Sequence, residues 1–158
     1  MLCFEDLEFD GLLAKSAVFD AERTRLVIPV RAIIGNSITT SDRGKLIRRK
    51  WMQEVFASTR KLRGDDPLDA DGHYAITGAF RFHPGSHGNQ KLDVENFLKP
   101  TFDALAAGLF CDECTMFDDI TRFGYDDSGF RYLFVHRLTD ATSAEEEGAL
   151  LVVSEQAT

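Results

Sequence analysis

Asp93, Glu95, Asn96, Lys99 and Asp103 are crowded into the segment "KLDVENFLKPTFDAL", residues 91–105. Two carboxylates one residue apart can converge on a cation where the backbone is extended or turning. In a regular helix they would diverge by about 200°. A shared site therefore requires Asp93 at a strand-to-helix junction. Hard divalent ions such as Mg²⁺ take oxygen ligands, commonly one or two carboxylates together with a substrate phosphate. Glu95 and Lys99 are four apart and share a helical face, which Asp103 extends. The plain alternative is an i,i+4 ion pair, which stabilises a helix by only a few tenths of a kcal/mol. A second set, Asp126, Asp127 and Ser128, stands immediately before the apolar run of "GYDDSGFRYLFVHRL". Strand ends are places where side chains from separate elements can meet. The same Asp pair beside a Ser is also ordinary turn chemistry.

The elements that must position these groups are read from periodicity. "TRLVIPVRAII" and "HYAITGAFRFH" are rich in branched and aromatic residues with partial alternation, which predicts strands. "FRYLFVHRL" and "ALLVVSE" predict two more. From about Arg43 to Leu62, an apolar stripe of Ile47, Trp51, Val55 and Leu62 predicts a helix, with Met52, Phe56 and Thr59 beside it. Ser41 and Asp42 are its capping candidates. A second helix is predicted from Asp93, with Val94, Phe97, Leu98, Phe102 and Leu105 as its apolar face and Gly108 as its stop. Pro100 implies a kink or an irregular first turn. "RGDDPLDADG", "PGSHGNQ" and "TDATSAEEEG" read as loops. The predicted order is β-α-β-α-β-β. This points to one α+β domain over residues 1–158, with a mixed sheet, two main helices on it, and an insertion at about 111–124.

The chain has 158 residues, enough for one domain with a core, and a formal charge of -8. That charge argues weakly against a general nucleic-acid binder, but it is segregated. Between Arg43 and Arg63 there are eight Lys or Arg and one acid, Glu54. Such a stripe can bind phosphates whatever the net charge. No run approaches the ~18 apolar residues of a membrane span, and the acidic start is unlike a targeting segment, so a cytoplasmic protein is expected.

Taken together, the two acidic segments resemble the RusA-type Holliday-junction resolvase family of endodeoxyribonucleases. Asp93, Asn96, Lys99, Asp103-Ala104-Leu105 and Asp126-Asp127-Ser128 fill the places of that family's motif. The resemblance is weaker over the flanks, including "KLIRRKWMQEV" and "YAITGAFRF", and covers roughly residues 25–153. It implies that Asp93, Glu95 and Asp127 bind Mg²⁺, with Mn²⁺ as a substitute, and that Lys99 acts on the scissile phosphate. It also implies hydrolysis of phosphodiester bonds in branched DNA by a homodimer. Lys45, Arg48, Arg49, Lys50, Arg60 and Lys61 would contact the DNA backbone. Two departures stand out. Glu95 replaces the family's second Asp, and fourteen residues, "CDECTMFDDITRFG", intervene before the distal acids. Asp112, Glu113, Asp118 and Asp119 are thus rivals to Asp127.

Cys111 and Cys114 with His83 and His87 have the chemistry of a zinc site, but free thiols are the preferred reading. "DDPLDADG" is better read as a solvated turn than as a calcium loop, since Pro67 occupies a ligand position. Trp51 is assigned to the core.

Overall fold

The structure, a computed structural model, describes residues 25–88, 92–111 and 128–156. The branched run Arg25–Arg31 forms strand β1. Helix α1 covers Asp42–Arg63 and is capped by Ser41, whose side chain accepts from the Gly44 N–H. Strand β2 is Tyr74–Arg81, helix α2 is Val94–Phe110, β3 is Phe130–Arg137 and β4 is Gly148–Glu155. Single 3₁₀ turns lie at Pro84–Ser86 and Ala144–Glu146. The predicted α+β class and the order β-α-β-α-β-β are those observed.

The four strands form one mixed sheet in the order β1-β4-β2-β3. β4 runs antiparallel to both β1 and β2, while β3 is parallel to β2. Parallel neighbours need a crossover connection, and α2 supplies it. β2 and β4 are buried along their length except at the last residue, which explains their near-continuous apolar sequences. Pro29 lies in β1, an edge strand, where a missing N–H is tolerated. The core joins Ile28, Ile76, Phe80, Leu151 and Val153 of the sheet to Trp51, Val55, Phe97 and Leu105 of the helices. Each such side chain contributes roughly 1.5–3 kcal/mol on full burial.

Two expectations for the helices need correction. Leu62 does not join the core stripe; it is 47% exposed. In that last turn the contact with α2 is made by arginines instead. Arg63 Nε donates to the Gly108 carbonyl at 2.7 Å and Arg60 Nη1 to the Cys111 carbonyl at 2.6 Å. Gly108 does not stop α2, which continues to Phe110 with Cys111 as its C-cap. The glycine serves helix packing: a Cβ there would lie 2.7 Å from Thr59 Cβ and 3.2 Å from the Phe56 carbonyl oxygen.

Pro100 sits inside α2 and is buried. A proline there donates no bond to the carbonyl four residues back, that of Asn96. The vacant acceptor is filled from outside the helix, by the Ser37 N–H at 2.8 Å. The proline thereby ties the loop after β1 to the first turn of α2.

Candidate metal and nucleic-acid site

The chemistry predicted for residues 91–105 depends on how α2 begins. Asp93 is the N-cap residue, with φ -81° and ψ 129°, so its backbone is extended. Glu95 lies in the first helical turn. Extended backbone at Asp93 thus enters the helix directly, and the regular-helix divergence of the two carboxylates does not apply. The expected strand before Asp93 is not found among the described residues: β2 ends at Arg81, and Leu92 lies in no strand. The Asp93 carboxylate does not cap its own helix. Asp93, Glu95 and Lys99 are exposed. Negative charge at a helix N-terminus is also favoured by the macrodipole.

This helix end is firmly anchored. Besides the Ser37 bond to Asn96, the Leu92 carbonyl accepts from Arg137 Nη1 at 2.6 Å. Trp51 Nε1 donates to Thr101 Oγ1 at 2.9 Å, and the Thr101 hydroxyl donates to the Phe97 carbonyl at 2.6 Å. Phe97 packs against Phe82 and His87. Trp51 is fully buried, as expected of a core residue. Of the two possible partners on its face, Lys99 pairs with Asp103 and not Glu95. The Nζ to Oδ1 distance is 2.8 Å, with the Lys99 side chain 70% exposed.

Asp127 lies outside the described residues, as do Asp112, Glu113, Asp118, Asp119 and Cys114. Ser128, which opens the next described segment, stands at the far end of α2 from Asp93. Tyr74 donates its N–H to the Gly129 carbonyl and pairs with Phe130, and both aromatic rings pack on Phe110. The opposite end of β3, at Arg137, is the one that reaches Leu92. A 17-residue helix separates the two ends, a span of about 25 Å. Among the described residues, no group of three or more His, Cys, Asp or Glu is arranged to hold a metal ion.

The basic stripe on α1 divides in two. Lys45, Arg49, Lys50 and Lys61 are exposed, and no ion pair among the described residues engages Lys45, Lys50 or Lys61. Arg48 is half-buried, and its Nη1 donates to the Ser37 carbonyl at 3.3 Å. Arg60 and Arg63 instead hold the carbonyl end of α2; Arg63 Nη2 is 2.8 Å from the Cys111 oxygen. Cations there also complement the helix dipole.

Sequence reasoning missed Glu147, which it placed in a loop with its neighbouring acids. Glu147 is fully buried. Its Oε2 accepts from the Ile34 N–H at 2.6 Å and from His87 Nε2 at 2.8 Å, while Oε1 accepts from the His83 N–H at 2.6 Å. One carboxylate thus joins the loop after β1, the turn after β2 and the start of β4. His83, the other imidazole of the zinc reading, bonds through Nδ1 to Ser86 Oγ at 2.8 Å. The only sequence signal for Glu147 is its position directly before an apolar strand. Asp69, in the candidate calcium loop, makes a local turn, with its Oδ1 accepting from the Asp71 N–H.

No protein-family model matches the chain, and no curated protein gives a significant match. The resemblance therefore rests on the quoted residues alone. No helix among the described residues is long and apolar enough to cross a membrane.

Proposed function

We propose that this chain is a Mg²⁺-dependent, structure-selective DNA endonuclease of the cytoplasm, resolvase-like in cutting branched DNA such as four-way junctions. The observation that carries the reading is the start of α2. There an N-cap Asp on extended backbone and a first-turn Glu stand exposed on an anchored helix end, with a lysine one turn on. Asp93 and Glu95 fit a small divalent ion that takes one or two carboxylates, keeps water and binds substrate phosphate. Mn²⁺ would substitute for it. When bound, such an ion polarises the phosphate and lowers the pKa of a coordinated water. Lys99 exchanges Asp103 for a phosphate oxygen and neutralises the charge that develops there. The exposed lysines of α1 hold the DNA backbone without reading sequence. The nearly two-fold symmetry of a junction suits a homodimer making paired cuts. Asp127 enters this proposal only through the resemblance.

A second reading, a DNA-binding module without cleavage, is favoured by one observation. Ser128 and Asp93 lie at opposite ends of α2, so the described fold offers Asp93 and Glu95 no third acid. The test is incubation with a synthetic four-way junction, with Mg²⁺ and with EDTA. The endonuclease reading expects divalent-dependent nicks. The second reading expects binding that EDTA does not alter and no nicks.

A further inference from the structure

The turn after β2 faces the start of α1 across a cavity of about 130 Å³ lined by Ser41, Arg43, Gly44, Ile47, Ser86, His87 and Gly88. Three independent features meet there. The first is His87, whose side chain is only 2% exposed. Glu147 already accepts two backbone N–H groups, so its carboxylate also accepts from His87 Nε2–H. That bond places a ring proton on Nε2 and leaves Nδ1 as the second ring nitrogen. Nδ1 makes no hydrogen bond among the described residues, yet it is not among the buried atoms sealed without a partner. The ring lines the cavity, so this nitrogen is a buried group's one open valence. The second is Arg43, exposed and in no ion pair among the described residues. The third is the N-terminus of the 22-residue α1. Ser41 satisfies the Gly44 amide, while the first two helical N–H groups have no acceptor within the helix. Asp42, the acid of that first turn, is not part of the lining.

We infer that this cavity is a phosphate-binding site. A guanidinium and a helix N-terminus together favour an oxyanion. A lone imidazole nitrogen opposite it adds a demand: one proton must lie between Nδ1 and the bound oxygen. A phosphate group meets this demand either way, by donating from a P–OH or by accepting from a ring that has taken up the proton. The phosphate comes from a free or small-molecule phosphate or from a nucleic-acid backbone. The inference needs neither a metal nor cleavage, so it survives if the endonuclease reading fails.

The experiment follows the ¹⁵N resonances of the His87 ring in the full chain, in EDTA. Inorganic phosphate is titrated first, then a short DNA duplex. The His87 Nδ1 signal should move saturably with at least one of them. A response to inorganic phosphate assigns the site to small phosphates as well; a response to the duplex alone assigns it to the backbone. Arg43→Gln should weaken the responding titration roughly tenfold or more, as expected for loss of a charge-assisted hydrogen bond. Arg43→Lys should recover part of it. Arg43 is exposed, so these variants keep the fold. A His87 signal unmoved by both probes overturns the inference, as does wild-type affinity in Arg43→Gln.

Discussion

Glu147 shows how much one side chain can organise. A buried carboxylate is costly unless its lone pairs are filled, and here two backbone amides and an imidazole fill them. In Glu147→Gln the amide NH₂ must face one of those N–H donors. We expect a loss of roughly 3 kcal/mol, the scale for breaking a buried charged network. Urea unfolding should show it as a lower midpoint at unchanged slope. Nothing in "SAEEEG" distinguishes this acid from its exposed neighbours, because its partners are 60 to 113 residues away in sequence. Tyr74 gives a second test at this scale. Burial pushes its hydroxyl up from the usual 10.0 to about 12, with the Glu155 and Asp69 carboxylates adding to the effect. The folded state holds that proton more tightly than the unfolded chain. This stabilisation is therefore complete below pH 10.0 and is lost as the pH rises toward about 12. Stability measured across that window should decline, and Tyr74→Phe should flatten the decline.

At the scale of the elements, α2 was legible in its apolar face and start but not in its end. In the sequence Gly108 resembles a C-terminal signal, because glycine commonly ends helices. Its actual constraint is Thr59 on α1, a residue 49 positions earlier, which no local pattern reveals. Gly108→Ala should destabilise the protein by about 1–3 kcal/mol through overpacking. Thr59→Gly in the same chain removes the clashing Cβ and should restore part of that loss, measured as a coupling energy in a double-mutant cycle. Strict additivity would contradict the close contact. Pro100 illustrates the converse. Its awkwardness was plain in the sequence, and the structure resolves it with the Ser37 N–H. Pro100→Ala restores an amide that competes for the Asn96 carbonyl, so hydrogen exchange at Ser37 should quicken.

At the scale of the whole molecule, the element order could be read from periodicity, whereas the sheet order could not. Placing the last strand between β1 and β2 depends on long-range pairing such as Ile28 with Leu151, for which the sequence carries no local mark. The candidate site was legible in the same partial way. The spacing of Asp93 and Glu95 pointed to a strand-to-helix junction; α2 begins with an extended N-cap, and the nearest described strand before it ends at Arg81. The basic stripe of α1 was visible as composition, but its division between exposed lysines and the arginines that hold α2 was not. That division makes a prediction. Lys45→Glu with Lys50→Glu should weaken binding to any DNA duplex and lower the magnitude of its salt slope by about 2. Arg63→Ala should instead lower stability. An unchanged salt slope in the lysine variant would remove α1 from the DNA footprint.

Central to the proposed function is metal-dependent DNA cleavage at the start of α2. Its most direct test compares Asp93→Asn with the wild type on a four-way junction in Mg²⁺, scoring binding and nicking in parallel. The amide keeps the shape of the side chain and removes the charge that would hold the ion. Asp93→Asn should bind the junction as tightly as the wild type, or more tightly, and no longer nick it. Nicking by Asp93→Asn at the wild-type rate, or no nicking by the wild type itself, would contradict it.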